Sequence, residues 1–364
     1  MSNLNPASSI ALSFVKQKFK HYYLENSVEP PVAFEKREFG FGNDKKIDFR
    51  HHAFKTPGEL NSYFRDNAPL YASFSVAFYD FPAARPMPKK VFRGADLVFE
   101  FDAECEKTCA PACEKHLNQA KADTVRLIED FLVPDFGFAR NDIRIAFSGN
   151  RGFHIYVDND TVKQLNGEAR RQISDYLQAR DLDVSRIIRS SRTGVESGGW
   201  RGRLVKAALE HWREQKNLGK LQQDREHLVQ ELSAGNFDLF RGAHSSWAKL
   251  LEKKKLNLSS SIDQSVTLDV SKLIRLPSTL HGSTGLKCAW VKSLDAFDVF
   301  SDAVAFKGNE KVRVKPVVDL AAFSVANETI GSLKKDTEVD LGQAAGMLLI
   351  CKGLAVPAVP VLNI

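Results

Sequence analysis

The spacing of apolar residues divides the chain into helical and strand-like segments. Residues 9–24 carry apolar side chains at helical spacing, which predicts an opening amphipathic helix. A second helical pattern covers 116–132, and 143–157 predicts a strand, a turn and a returning strand. Segments rich in Phe, Tyr, Val and Ser predict further strands at residues 33–54, 72–80 and 90–102.

The pattern changes between about residues 160 and 255, where polar connections join a series of predicted helices. These helices cover residues 164–179, 203–215, 221–232 and 246–254. From 201 to 255 the chain has twelve Lys+Arg and seven Asp+Glu. This excess suits a surface near nucleic acid, but an ordinary solvated helical face explains it equally well. Strands are predicted again at 265–292 and 312–325, before a final helix at 341–353.

Strands on both sides of a helical interruption favour an α+β fold. The predicted organisation is a sheet domain whose first part spans residues 1–160, a helical subdomain or insertion at 161–255, and a second part of the sheet domain at 256–364. The 364 residues are enough to bury a core without disulfides or metals. Because the sequence contains no internal repeat, solenoids and propellers are excluded.

Composition narrows the class of protein further. With 43% apolar and 26% charged residues, the chain is a folded enzyme or binding protein. The net charge of +6 is compatible with an anionic partner but does not identify one. No run approaches the ~20 apolar residues of a membrane span, and no export signal is recognisable. Three of the five cysteines lie close together, which favours metal ligation in a reducing compartment, so we expect a cytoplasmic protein without membrane contact.

The segment Asp96-Leu-Val-Phe-Glu-Phe-Asp102 alternates as a strand with two acids on one face. Glu100 and Asp102 then project side by side, with their Cα atoms ~6.5 to 7 Å apart. Like charges at this distance repel, and bound Mg²⁺ or Mn²⁺ would remove that cost and support phosphoryl transfer. The alternative is an exposed sheet face on which both acids simply meet water.

A cluster of cysteines and one histidine follows the acidic strand. It comprises Cys105, Cys109, Cys113 and His116. Three thiolates and an imidazole suit a closed tetrahedral Zn²⁺ site, which would be structural or would contact nucleic acid. The spacing is not that of a standard zinc finger, so reduced cysteines on a loop are the alternative.

The turn Ser148-Gly-Asn-Arg-Gly152 separates two predicted strands. Its glycines permit positive φ and close backbone approach, so Ser148, Arg151 and backbone N–H groups could face a phosphate. His154, on the returning strand, alternates away from its apolar neighbours and would lie on the same side as Tyr156. A plain hairpin with favourable turn residues accounts for the pattern as well.

A third acid and further cationic groups occur in a later segment. Asp263 could complete a metal site, while Arg275 and His281 are suitable donors to a polyphosphate. Each could instead be a packed polar residue beside an apolar strand.

Taken together, these segments resemble the catalytic small subunit of the archaeal and eukaryotic replicative DNA primase, with a length close to the archaeal form. Five blocks carry the resemblance, in this order: Arg37-Glu38-Phe39 with Arg50, Ala95 to Asp102, the cysteine and histidine cluster, Ser148 to His154, and Asp263 to Gly285. They span nearly the whole chain outside the helical insertion. The resemblance implies a catalytic sheet domain with a helical subdomain and a zinc knuckle at residues 105–116.

The resemblance also implies roles for individual residues. According to this resemblance, Glu100, Asp102 and Asp263 occupy the catalytic, metal-binding carboxylate positions. Contacts to a nucleotide triphosphate fall on Ser148, Arg151, His154, Arg275 and His281. Positions lining the incoming nucleotide and the initiation site fall on Glu38 and Arg50.

This sequence departs from the family pattern at several positions. Glu100 stands where Asp is usual, which keeps carboxylate chemistry on a longer arm. Asn150 replaces a common basic residue, and Ser278-Thr279 replaces the usual Gly-Ser before Leu-His. Cysteine spacing also varies in this family, so His116 is the least firmly assigned of the four zinc ligands.

The resulting hypothesis is primer synthesis on single-stranded DNA from NTPs or dNTPs, with Mg²⁺ or Mn²⁺ at the carboxylates and structural Zn²⁺. The resemblance implies a heterodimer with a large primase subunit. One alternative is a stand-alone primase-polymerase of repair or plasmid replication. Another, of a different class, is a non-catalytic nucleic-acid-binding module.

Overall fold

The computed structural model describes residues 9–43, 46–102, 114–189, 198–214, 225–236 and 244–358. Its helices are α1 (Ser9–Glu25), α2 (Pro57–Asn67), α3 (Glu114–Arg126), α4 (Asp160–Lys163), α5 (Gly167–Leu177), α6 (Val184–Arg189), α7 (Gly199–Glu214), α8 (Arg225–Ser233), α9 (His244–Leu258), α10 (Gln264–Leu268), α11 (Val299–Asp302) and α12 (Gln343–Cys351). No helix among these is long and apolar enough to cross a membrane.

The strands are short and distributed over several sheets. They are β1 (Phe39–Gly42), β2 (Phe49–His52), β3 (Tyr71–Ser75), β4 (Ala77–Tyr79), β5 (Phe92–Ala95), β6 (Leu97–Asp102), β7 (Ile143–Phe147), β8 (Gly152–Val157), β9 (Leu273–Arg275), β10 (Ala289–Val291), β11 (Lys311–Pro316), β12 (Phe323–Val325), β13 (Glu328–Ile330), β14 (Val339–Gly342) and β15 (Ala355–Pro357). Mixed helices and strands confirm the predicted α+β class.

The contacts divide the chain into two compact units. The first comprises residues 1–124, 141–167 and 263–364, and the second comprises 125–140 and 168–262. A helical segment between two parts of a sheet domain was predicted with boundaries near 160 and 255. The structure differs in placing 125–140 in the helical unit, because the aromatic side chains of this segment pack there on Tyr176 and Trp200.

Two four-stranded antiparallel sheets form the centre of the first unit. One has the strand order β2-β1-β3-β9 and the other β10-β7-β8-β6. In the first sheet Ser73 pairs with Arg275, and in the second Glu100 pairs with His154. These two registers matter for function because they fix which polar side chains stand beside one another.

A buried ion pair joins segments that belong to different sheets. The side chain of Arg37 is 3% exposed, and its Nη2 lies 2.7 Å from Asp96 Oδ2. The guanidinium also donates to the carbonyls of Ser75 and Val76, each at 2.9 Å. Asp96 immediately precedes β6, so these contacts fix where the acidic strand begins relative to β1 and β3.

The second unit has its own apolar core, formed between α6, α7, α8 and α9 around Val184, Leu204, Leu232 and Leu251. Asp135 lies beside this unit's aromatic residues and accepts hydrogen bonds from Tyr176 Oη at 2.7 Å and from the Gly199 N–H at 3.2 Å. Arg203 lies 2.7 Å from the same carboxylate. The unit therefore combines an apolar core with a satisfied buried charge.

Most predicted elements are confirmed, with shifted ends. Helix α1, the hairpin β7–β8 and helix α12 lie where the pattern placed them. The predicted strand over 265–292 is wrong at its start, where residues 264–268 form α10. Asp263 caps this helix by accepting from the Ser265 N–H, and the Thr267 hydroxyl donates to the Val98 carbonyl, so tertiary contacts override the β-branched composition.

Candidate active site

The two acids of β6 lie on one face of the strand, as strict alternation requires. The side chain of Glu100 is 21% exposed and that of Asp102 is 42% exposed. Behind them, Leu97, Phe99 and Phe101 are buried in the core. The strand is therefore anchored by one apolar face while it presents two carboxylates on the other.

Glu100 has a histidine neighbour on the adjacent strand. His154 Nε2 lies 3.5 Å from Glu100 Oε1, across the register that pairs these residues. Burial by itself raises the pKa of Glu100, but the hydrogen bond and charge of His154, with Lys46 and Lys272, hold it below its usual value. Glu100 is thus ionised at neutral pH.

Asp102 is in a different electrostatic situation. Burial and the nearby charge of Glu100 raise its pKa, and Arg151 opposes this only in part. The Arg151 guanidinium lies 3.8 Å from Asp102 Oδ2, and both side chains are partly exposed. The negative charge of Glu100 and Asp102 is therefore only partly compensated by neighbouring cationic side chains.

The structure brings Asp263 to the same place from a distant part of the sequence. Its backbone N–H donates to the Glu100 carbonyl at 3.0 Å. Its side chain lines the cleft that Glu100 and Asp102 also line. The third acid is therefore fixed by a backbone contact to β6 and by its role as the cap of α10.

The turn between β7 and β8 is tight and internally bonded. Ser148 Oγ accepts from the N–H groups of Asn150 and Gly152, at 3.3 and 3.2 Å. Those two N–H groups are thus engaged within the turn. Gly149 has φ +79°, and a Cβ on Gly152 would lie 1.8 Å from the Phe101 carbonyl oxygen. Gly149 is required because of its positive φ, and Gly152 is required because β6 lies too close to leave room for a side chain.

Arg275 and His281 line the cleft opposite β6. Arg275 is buried at the end of β9, with its guanidinium carbon 5.2 Å from the centre of the Tyr71 ring. His281 Nδ1 accepts from the Ser283 N–H at 3.2 Å. Burial and the charge of Arg275 lower the pKa of His281 well below its usual value, so the ring is neutral and Nε2 carries the proton.

These side chains surround one cleft of about 290 Å³ between the two large sheets. Three polar residues that line it were not predicted from the sequence: Ser73, Lys46 and Lys272. Lys272 precedes β9 and donates to Ser265 Oγ at 3.3 Å. The signal that could have identified Lys272 is its position three residues before Arg275, whereas Lys46 lies in a polar turn without a recognisable motif.

Glu38 and Arg50 do not line this cleft. Glu38 is completely buried and lies 2.9 Å from Arg50 Nε, 3.3 Å from His51 Nδ1 and 3.5 Å from Lys90 Nζ. Arg50 instead lines a neighbouring pocket on β2. The structure therefore brings the two residues together, but beside the cleft.

The predicted zinc ligands Cys105, Cys109 and Cys113 lie outside the described residues. His116 lies in the first turn of α3. The zinc site thus stays a prediction from sequence.

The cleft offers oxygen donors for a hard cation and cationic groups for an anion. Within the described ranges, no three acidic, histidine or cysteine side chains are close enough to hold a metal ion by themselves. Mg²⁺ is often held by one or two carboxylates together with substrate phosphates and water. The donor chemistry and the raised pKa of Asp102 fit such a shared site.

An acidic strand facing Arg, Lys and His side chains across a cleft is typical of enzymes that transfer phosphoryl or nucleotidyl groups. The profile of the family described as "DNA primase small subunit" matches residues 101–293, more than half of the chain. This match begins at the end of β6, one residue after Glu100, and includes Asp102, the Ser148 turn, Asp263 and Arg275 with His281.

Several archaeal proteins named DNA primase small subunit PriS are similar over most of their length. The protein from Methanothrix thermoacetophila is 34% identical, covering 94% of this chain and 98% of the relative. That from Archaeoglobus fulgidus is 35% identical, covering 93% and 97%, and that from Thermoplasma acidophilum is 35% identical, covering 79% and 82%. The chain belongs to the DNA primase small subunit family, as the sequence blocks predicted.

Proposed function

We propose that this protein is the catalytic small subunit of a replicative DNA primase, which synthesises short primers on single-stranded DNA from NTPs or dNTPs. Family membership supports the enzyme class, a DNA-directed nucleotidyltransferase. The observation that carries the catalytic proposal is the bond between the Asp263 N–H and the Glu100 carbonyl, since it draws a third acid to the carboxylate pair of β6.

In this proposal Glu100, Asp102 and Asp263 hold Mg²⁺ or Mn²⁺ together with phosphate oxygens of the nucleotide. A bound pair of such ions would supply charge stabilisation for nucleotidyl transfer. Asp102 is the more exposed acid of the β6 pair, and its protein cation Arg151 lies 3.8 Å from Oδ2, which leaves the carboxylate accessible to such an ion.

The cationic side of the cleft orients the triphosphate. Arg275 offers a planar guanidinium with paired N–H donors. Because the side chain is buried, water screens its positive charge less than it would at the surface. His281 remains neutral and donates through Nε2–H, while His154 and Arg151 lie close to the acids of β6. Ser148 contributes chiefly by holding the turn that carries Arg151, since its hydroxyl already bonds two backbone N–H groups.

Two further parts of the proposal rest on the family rather than on the cleft. The name of the relatives, small subunit, supports a heterodimer with a large subunit. The four zinc ligands Cys105, Cys109, Cys113 and His116 would form a structural knuckle after β6. A stand-alone primase-polymerase would keep the same cleft without the partner, and co-purification with a second subunit separates these two forms.

The decisive experiment measures primer synthesis on single-stranded DNA with Mg²⁺ or Mn²⁺. We expect Asp102→Asn and Asp263→Asn each to lower the rate by about a hundred-fold or more, because each removes charge from the cation site. Arg313→Ala, in an exposed ion pair of β11, serves as a control that should leave the rate unchanged. If both Asn variants synthesise primers as well as the parent, catalysis at these carboxylates is wrong. If the parent itself synthesises no primers but binds single-stranded DNA, a non-catalytic binding module is favoured.

A further inference from the structure

Strand β2 contains a bulge beside Glu38. Phe39 pairs with His52 and Phe41 with Phe49, so Gly40 alone faces both Arg50 and His51. His51 has φ +70°, which is uncommon for a residue with a side chain. Bulges of this kind redirect side chains and are frequent next to functional sites.

The bulge directs two consecutive side chains to one buried carboxylate. Arg50 Nε and Nη2 donate to the two oxygens of Glu38, at 2.9 and 3.2 Å. His51 approaches the same carboxylate with its ring, and its backbone N–H donates to Oε1 at 3.1 Å. Glu38 therefore holds the unusual backbone of His51 in place and fixes the guanidinium of Arg50.

A pocket of about 410 Å³ is lined by the residues of the bulge. Arg50 and Arg85 contribute guanidinium groups to its lining, and His51 and His52 contribute imidazoles. Asp48 is the acidic residue in this lining, and it accepts from the Asn43 N–H at 2.7 Å. Arg85 donates to the Arg50 carbonyl at 3.1 Å, so its side chain is held across the bulge.

This pocket adjoins the catalytic cleft. Ile47 lines both. Arg50 Nη2 also donates to the carbonyl of Ser271, whose neighbour Lys272 lines the cleft. The Phe49 side chain, 55% exposed, lies in the same pocket lining and offers an aromatic surface to solvent.

We propose that the bulge pocket is a second phosphate-binding site that holds the backbone of single-stranded nucleic acid next to the catalytic cleft, with Arg85 and Arg50 at a phosphate and Phe49 stacked on a base. The inference rests on the proposed function, because a strand that enters the cleft must leave it along the adjoining surface. Basic side chains combined with an exposed aromatic ring are the usual means of binding single strands.

Nucleic acid is favoured over an acidic polypeptide by two observations. The pocket shares a lining residue with the cleft proposed to carry out nucleotidyl transfer. Phe49 also presents an exposed aromatic ring, which can stack on a base but is not needed to bind a carboxylate. Planar guanidinium groups match phosphate geometry.

The test measures binding of a short fluorescent oligothymidylate by anisotropy, without divalent metal and over a range of salt concentrations. All variants are made in full-length Asp102→Asn protein, so that binding is separated from synthesis. Arg85→Ala should weaken oligonucleotide binding about five-fold and reduce the salt slope by about 1. Phe49→Ala should weaken it by a similar factor without changing the slope, because stacking does not release counterions.

Three comparisons make the outcome decisive. Arg85→Lys retains the charge and should retain the salt slope, which guards against a fold defect in Arg85→Ala. Arg65→Ala removes an arginine of α2 that lines neither pocket, and should not alter binding. Fluorescent ATP should bind all of these variants within about two-fold of their parent.

Three results would overturn the inference. Equal losses for Arg85→Ala and Arg65→Ala would indicate only a general effect of charge. An equal loss of ATP binding would assign Arg85 to the nucleotide cleft. Binding of polyglutamate as tight as that of the oligonucleotide, and as sensitive to Arg85→Ala, would make the pocket a site for acidic protein. None of these results bears on the catalytic proposal, which the synthesis assay tests separately.

Discussion

The buried carboxylate of Glu38 and the pair formed by Glu100 and Asp102 belong to the first unit and differ in how their charge is compensated. Glu38 is fully buried and has Arg50, His51 and Lys90 around it, all within 3.5 Å. Glu100 and Asp102 are partly exposed, and in the part of the chain that the structure describes the ion-pair partner of Asp102 is the exposed Arg151, at 3.8 Å. The first group is neutralised by the protein itself, whereas the second is left with excess negative charge.

This difference distinguishes a carboxylate that organises structure from a pair that can accept outside cations. Burying a charge is costly unless partners satisfy it, so the saturated contacts of Glu38 are a condition of folding. Adjacent carboxylates with few partners make folding slightly less favourable and cation binding more favourable. The same residue type thus serves two purposes, and the number of neighbouring cations decides which.

The largest effect expected from this comparison is on stability. Glu38→Gln should lower the free energy of unfolding by about 3 kcal/mol, since it leaves Lys90 buried without its counter-charge. Asp102→Asn should change it by less than about 1 kcal/mol, or raise it, because it relieves repulsion from Glu100. Urea denaturation followed by circular dichroism measures both.

Equal losses of stability in the two variants would contradict the distinction between a structural and a cation-accepting carboxylate. Glu338→Gln, at an exposed position outside both groups, is the matched control for the loss of one carboxylate charge and should leave stability within about 0.5 kcal/mol.

A smaller effect is expected from metal ions. At a Mg²⁺ or Mn²⁺ concentration ten-fold above its dissociation constant, the free energy of unfolding should rise by about 1.4 kcal/mol, because the ion binds the folded state. Asp102→Asn should abolish most of this increase. Thermal unfolding with and without the ion tests it, and an undiminished increase in the variant would place the cation elsewhere.

The smallest effect concerns pH and the opposite wall of the cleft. Burial lowers the pKa of His281 well below 6.5, so the unfolded chain takes up a proton near pH 6.5 while the folded protein does not. The contribution of this residue to stability is therefore complete above about pH 6.5 and is lost as pH falls, by at most about 1.4 kcal/mol per pH unit.

His281→Asn should accordingly flatten the dependence of the unfolding free energy on pH between about 6.5 and 5. His21→Asn, at an exposed position on α1, is the control and should leave the slope as in the parent. A parental slope in His281→Asn would mean that this histidine titrates normally in the folded protein.

Local pattern was sufficient wherever one segment contains the whole feature. The alternation of β6 fixes that Glu100 and Asp102 share a face, since side chains alternate along any strand. The residues of the Ser148 turn likewise predict a hairpin, because Gly149 adopts the positive φ that the turn needs. These parts of the fold and of the candidate site were predictable from sequence.

Features that depend on distant partners were not predictable from pattern. Residues 264–268 have strand-like composition but form a helix, because the Thr267 hydroxyl bonds the Val98 carbonyl 169 residues away. The bulge in β2 follows from the contacts of Arg50 and His51 with Glu38, which no local rule anticipates.

The sequence by itself determined the family, the α+β class and the chemical types available to the site. Only the tertiary structure decided that Asp263 reaches Glu100, that Lys46 and Lys272 join the cleft, and that Arg50 lies beside it. The physical reason is that hydrogen bonding and steric preferences act along a few neighbouring residues, whereas the electrostatic environment of a carboxylate is the sum of all charges that folding brings near it.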